Sequence, residues 1–190
     1  VKKGLAIIFA LLLSGCSSDS AKHYYQLPAM IPTAGQPVAV AGAGDNTRPL
    51  WVEPVTVPDY LSGNGVAYQT SDVQYVIAVN NLWASPLDQQ LQQTLVSYLG
   101  QLLPGRLVSG SMTGSSDYDT LSVTVTGFHG RYDGKAVISG AWILQRGDQT
   151  LRQPFSLILP QPKDGYPALI RTLAAGWQQE ATAIARQITH

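Results

Sequence analysis

A single cysteine, Cys16, directly behind the apolar run Leu5 to Leu13, constrains this chain more than any other feature. With one thiol no intrachain disulfide can form, and no multi-cysteine metal site can hold a small fold together. Whatever folds must do so on a hydrophobic core. The 190 residues suffice for that, because a domain of this size buries roughly two-thirds of its unfolded surface. The apolar run has nine residues, against the ~20 a helix needs to span a bilayer. It follows Lys2 and Lys3 and precedes the small residues Ser14 and Gly15, which is the layout of a secretory signal.

Leu13-Ser14-Gly15-Cys16 resembles the bacterial lipoprotein box, in which the cysteine thiol accepts a diacylglycerol before the signal is removed. An ordinary signal peptide with a cysteine at its cleavage site by chance is the weaker reading, since the chain has no other cysteine. Residues 1–15 are therefore expected to be a signal peptide, with Cys16 the lipidation site. Loss of Lys2 and Lys3 with the signal leaves ten basic residues against twelve acidic ones, a net charge of −2. Nothing in that balance favours nucleic-acid binding, which wants a clustered basic face. No Lys or Arg occurs between Arg48 and Arg106. Chance in a charge-poor chain explains this, and so does a contact surface of low charge.

Ser17 to Ala21 reads as a tether, 24–28 (Tyr-Tyr-Gln-Leu-Pro) as a possible short strand, and Ala29 to Pro49 as an Ala/Gly/Pro-rich linker. The division is thus 16–49 for tether and linker and 50–190 for one α+β domain. Leu50 to Val57 predicts a strand that Pro54 pushes to an edge or a bulge. Asp59 to Gly65 predicts a turn carrying the exposed apolar side chains of Tyr60 and Leu61. Val66 to Thr70 and Val73 to Val79 predict a hairpin. Ser85, Pro86 and Asp88 form an S-x-x-D capping box. Behind it Leu87, Leu91, Leu95, Tyr98 and Leu102 make an apolar helical stripe, glutamines fill the other face, and Pro104-Gly105 ends the helix.

Further strands are expected at 106–109, around the alternating Leu121, Val123 and Val125, at Ala136 to Leu144 behind the Asp133-Gly134 turn, and at Phe155 to Leu159. A last amphipathic helix, capped by Asp164, is expected from Gly165 to Ile188, burying Ile170, Leu173, Trp177, Ala181, Ile184 and Ile188. Six or seven strands and two helices predict a mixed, mostly antiparallel sheet with both helices packed on one face. The other face is left for solvent, a second layer or another subunit.

Catalytic chemistry finds little support. His129 and Asp133 make neither a triad nor a metal site by themselves. Gly110-Ser111-Met112-Thr113-Gly114 has methionine where a nucleophile elbow needs serine, and the chain has only two glutamates. No catalytic residue, metal ligand or dissociable cofactor is expected. Trp83, just before the helix, is the other candidate contact residue beside Tyr60 and Leu61. Packing back on the helix is the stronger reading of Trp83. For the loop from Tyr60 to Gly65, folding inward is as good a reading as meeting a partner.

Cys16, the Tyr24 to Pro28 run, LWVEPVTVPDYLSGNGVAYQTSDVQYVIAVNNLWASPLDQQL (50–91), GRYDGKAVISGAW (130–142) and the DGY and GWQQEA segments between 164 and 181 together resemble the auxiliary lipoproteins of ABC-type and MCE-type lipid transport systems. The resemblance covers nearly all of the chain beyond the signal and outside the linker. It implies a periplasmic domain held at the outer membrane by a diacylglycerol and an N-acyl chain on Cys16, with Ser17 following. It also implies docking to a PqiB-like MCE protein in a conduit for phospholipid that supports envelope integrity. Cys16 is the one position whose role carries over. An uncovered sheet face adds the expectation of a homo-oligomer, with a closed ring matching the symmetry of an MCE tube. The alternatives are a phospholipid-binding shuttle, which would show a closed apolar cavity, and an envelope hydrolase without a recognisable motif.

Overall fold

The computed structural model describes residues 21–28, 48–112, 114 and 117–189. The expected signal peptide (1–15), the expected lipidation site Cys16, residues 17–20 of the expected tether and residues 29–47 of the expected linker lie outside the described residues. One eight-stranded mixed sheet carries a layer of two long helices. The strands are β1 (His23–Tyr25), β2 (Leu50–Val52), β3 (Gly65–Gln69), β4 (Tyr75–Trp83), β5 (Val108–Ser109), β6 (Asp119–Arg131), β7 (Lys135–Arg146) and β8 (Gln149–Pro160). The helices are α1 (Asp59–Ser62), α2 (Leu87–Leu102) and α3 (Tyr166–Thr189).

β6 organises the sheet. β7 pairs along one side of it, antiparallel throughout, and β8 continues from β7. Two strands share its other side in parallel: β2 beside Asp119–Leu121, and β3 where Tyr68 meets Gly130. β5 adds in parallel outside β2, β4 pairs antiparallel with β3, and β1 adds in parallel outside β4. The α+β class, the mixed sheet with long antiparallel ladders and the two helices in one layer match the sequence expectation. α2 and α3 contact each other, and the indole of Trp177 donates to the Leu91 carbonyl (3.2 Å).

The hydrophobic periods translate directly. Leu87, Leu91, Leu95, Tyr98 and Leu102 are buried, as are all six stripe residues of α3. Leu121, Val123 and Val125 point into the same core, where Trp142, Trp177 and Phe128 are among the largest fully buried side chains and Phe128 and Phe155 meet the Trp177 ring. Fully burying each such side chain contributes roughly 1.5–3 kcal/mol. Gly134 (φ +73°) and Gly147 (φ +55°) occupy the left-handed region in the β6–β7 and β7–β8 turns, where a side chain would strain the backbone.

Several expectations need correcting. The strand beginning at Leu50 stops at Val52, because Pro54 has no amide to donate. Pairing resumes in a lone bridge between Thr56 and Thr124, so β2 lies between β5 and β6 and not at an edge. The last strand runs from Gln149 to Pro160, longer than Phe155 to Leu159. As an edge strand pairing only β7, it tolerates Pro154 and a polar first half that no core-seeking pattern reveals. The capping box is not formed: Pro86 is the N-cap of α2 and no side chain caps that end. The segment at Asp59 is a short helix, not an open turn.

The stretch without basic residues is closed by its own borders. Arg48 and Arg106, which bound it in sequence, both reach the buried carboxylate of Asp119 at the start of β6, and Arg146 joins them from β7. Taking a carboxylate out of water is costly, and three guanidinium groups offset that cost. Asp119 thereby ties the ends of segment 49–105 to the central strand.

Candidate functional site

The sequence placed its candidate contacts on Tyr60, Leu61 and Trp83, and the structure separates them. Leu61 is 1 % exposed and Trp83 3 % exposed. One turn of helix α1 carries Leu61 into the core, while Trp83 ends β4 with its ring 6.2 Å from that of Phe128. Neither offers surface to a partner, which corrects the expectation of exposed apolar side chains there. Tyr60 remains half-buried on the face away from the helices, its hydroxyl donating to the Thr126 carbonyl (2.8 Å).

Around Tyr60 the uncovered face acquires an aromatic cluster. The Tyr60 and Tyr75 rings lie 4.9 Å apart, and Tyr75 meets the His129 ring edge-on at 5.0 Å. Burial, with Tyr75 adding, pushes the Tyr60 phenol up to about 12, and burial lowers the His129 pKa so that the neutral ring is favoured. His129 Nδ1 lies 3.0 Å from the Gly130 carbonyl, a hydrogen bond that this nitrogen donates. Asp133 pairs with Arg131 and Lys135. This is packing chemistry. Among the described residues no cluster of His, Cys, Asp and Glu could hold a metal ion.

Beside the cluster the same face is concave and lined by both hydroxyl-bearing and apolar side chains. Ser122, Thr124 and Thr126 of β6, Ala141 and Ile143 of β7, and Arg152 and Pro154 of β8 line a solvent-open trough of about 360 Å³. The strand period contributes: Ser122 and Thr124 of β6 alternate with buried Leu121, Val123 and Val125, and Ala141 and Ile143 of β7 with buried Trp142 and Leu144. A second open cleft, about 310 Å³, lies between the β6–β7 turn and the start of α3, lined by Tyr68, Tyr166 and Leu169 among others.

The feature that sequence reasoning missed is the fastening of the N-terminal segment. β1 hydrogen-bonds alongside β4, and the Ala84 amide donates to the Tyr25 carbonyl (2.7 Å). Tyr25 gives its hydroxyl proton to Asn81 Oδ1 (3.0 Å) and stacks on Tyr166. Gln90, expected on the wet face of α2, is buried. Its Oε1 accepts from the Leu27 amide (2.8 Å) while its Nε2 donates to the Ser85 carbonyl (2.7 Å). The Tyr98 hydroxyl donates to the Pro28 carbonyl (2.9 Å). One signal was available: Gln90 stands three residues after Leu87 and one before Leu91, within the apolar stripe. The strap holds residues 21–28, the segment that leads from Cys16 into the fold.

Comparison with known proteins points the same way. Residues 25–185 match the family described as the ABC-type transport auxiliary lipoprotein component. The chain is 54% identical over 189 residues to the intermembrane transport lipoprotein PqiC of Escherichia coli (strain K12), covering 99% of this chain and 98% of that protein. The PqiC of Shigella flexneri is similar to the same extent. A crystal structure of an uncharacterised protein, 58% identical, superposes with a TM-score of 0.78 over 88% of this chain and 99% of that one. A Xanthomonas campestris protein, 14% identical, shares the fold (TM-score 0.65, 85% of this chain and 92% of that one).

Proposed function

Since the chain belongs to the ABC-type transport auxiliary lipoprotein family, which is not an enzyme family, we propose that it is the outer-membrane-anchored adaptor of an intermembrane lipid transport system. Cys16 carries the anchor, and the folded domain docks a PqiB-like MCE protein at the outer-membrane end of a lipid conduit. The observation that carries this reading is the 54% identity, over nearly the whole of both chains, to a protein named for intermembrane transport.

The physical features support an adaptor over a shuttle. The core is filled by large side chains such as Trp142, Trp177, Tyr98 and Phe128, and the clefts at Tyr166 and on the sheet face are open to solvent, unlike a closed lipid cavity. No helix among the described residues is long and apolar enough to cross a membrane. Acyl chains on Cys16 supply attachment instead, at ~0.8 kcal/mol per buried CH₂, with more than one chain needed for stable anchoring. One uncovered sheet face and a strand edge at β8 offer surface for a homo-oligomer, and heterologous contacts that close make a ring.

The test is direct. Protein extracted from membranes in mild detergent is sized by light scattering and used to capture the periplasmic region of the MCE partner. An oligomer that captures the partner is expected. A strict monomer at tens of micromolar that captures nothing would overturn the adaptor reading. The Cys16→Ser variant should lose labelling by a fatty-acid analogue and leave the membrane fraction; equal labelling of variant and parent would refute the anchor.

A further inference from the structure

We propose that the β3–β4 and β6–β7 hairpin tips form a membrane-contact face that rests on the phospholipid surface holding the anchor, an inference that depends on the lipidation of Cys16. Direction comes first. β1 runs parallel to β4 with His23 level with Asn81, so the strand axis carries the chain before His23 back along β4 toward its start at Tyr75. Counting seven residues back from His23 gives Cys16, and seven back from Asn81 gives Gln74 in the β3–β4 turn. At ~3.3 Å per residue the Gln74 to Asn81 stretch spans about 23 Å, which is also the reach of any seven residues of extended chain. The length of chain between anchor and fold therefore matches the distance from the strap to the hairpin tip.

The second tip lies at the same end. Gln69, the last residue of β3, is level with Arg131, the last of β6, in a parallel pairing, so both strands turn at one end of the sheet. The loop after β8 joins them there, since Pro160 is opposite Lys135.

The chemistry of these tips differs from that of ordinary solvent loops. Val73 is 79 % exposed and Tyr132 57 % exposed, with Tyr75 and Val76 exposed just behind Val73. Tyrosine rings favour the headgroup level of a bilayer, where the ring is shielded and the hydroxyl stays wet. The charges at this end balance: Arg131, Lys135 and Lys163 against Asp72, Asp133 and Asp164. Contact thus rests on shallow insertion of apolar and aromatic groups, not on attraction to anionic lipid.

The experiment uses the full-length lipidated protein in vesicles of phosphatidylethanolamine and phosphatidylglycerol. Single cysteines replace Val73, Tyr132 or, as the control, Asp148 in the exposed β7–β8 turn, and each carries an environment-sensitive fluorophore. β7 runs eleven residue steps from Lys135 to Arg146 before the turn that carries the control, which places that turn about 36 Å from the tips. Probes at 73 and 132 should be quenched several-fold more by nitroxide-bearing lipid than the probe at 148, and protected from iodide. Floating protein with equal quenching at all three positions overturns this inference alone. Protection from iodide without quenching from lipid also overturns it, because a second copy then covers the tips. Failure to float with the vesicles overturns the anchor reading and this inference with it.

Discussion

Replacing Gln90 by alanine should unfasten the N-terminal strap. The side chain holds two buried backbone groups at once, the Leu27 amide and the Ser85 carbonyl. Orphaning a buried amide costs about 1–3 kcal/mol, and losing a second hydrogen bond about 0.5–1.5. The direct cost is thus ~2–4 kcal/mol. Release of the strap limits it, since residues 21–28 can detach and rehydrate while the rest of the sheet stays folded. Detachment gives up the burial of Leu27, roughly 1.5–3 kcal/mol, together with the Tyr98–Pro28 and Ala84–Tyr25 hydrogen bonds. We therefore expect hydrogen exchange at Leu27 and Ala84 to accelerate by two orders of magnitude or so, with a smaller loss in global stability by guanidinium denaturation. Gln93→Ala, at an exposed position of α2, should change neither by more than about 0.5 kcal/mol. Unchanged exchange at Leu27 in the Gln90 variant would refute the assignment of this side chain as the fastener.

Two other substitutions probe the core. Leu95→Ala, at a fully buried position of α2, should cost roughly 2–5 kcal/mol in chemical denaturation; a loss below about half a kcal/mol would mean that the stripe is not packed. Glu180 is buried on α3 and accepts a hydrogen bond from the Trp142 indole (3.0 Å), and burial raises its pKa above the ordinary 4.5. The native state therefore binds the Glu180 proton more tightly than the unfolded chain does, and its stabilising effect is complete below the unfolded value and fades as pH rises through the folded one. Glu180→Gln keeps an acceptor for Trp142 without the charge. It should equal or exceed the parent in stability at pH 7, with that advantage gone below pH 4.5; a large loss at pH 7 would show that the charge itself is needed.

The lipidation signal, by contrast, is legible in the sequence because it is contiguous. The apolar run and Leu13-Ser14-Gly15-Cys16 stand side by side, so the anchor is proposed without tertiary information. The two long helices and the hairpins are legible for a related reason. Burial along one element repeats with that element's own period, so Leu87 to Leu102 and Leu121 to Val125 declare their buried faces locally.

What depends on distant segments leaves no such period. The parallel match of His23 with Asn81 joins residues 58 positions apart, and nothing in either stretch encodes the other's register. Gln90 looks like one more surface glutamine because its partner is a backbone amide, which has no side-chain signature. Leu61 and Trp83 look available because exposure cannot be judged from a short segment whose neighbours come from β3, β6 and the helices. Asp119 cannot be singled out among ten aspartates until the sheet brings Arg48, Arg106 and Arg146 to it. Local periodicity determines which elements form and which face each one buries. Their pairing, and with it the strap, is decided only when backbone hydrogen bonds between remote strands are satisfied together.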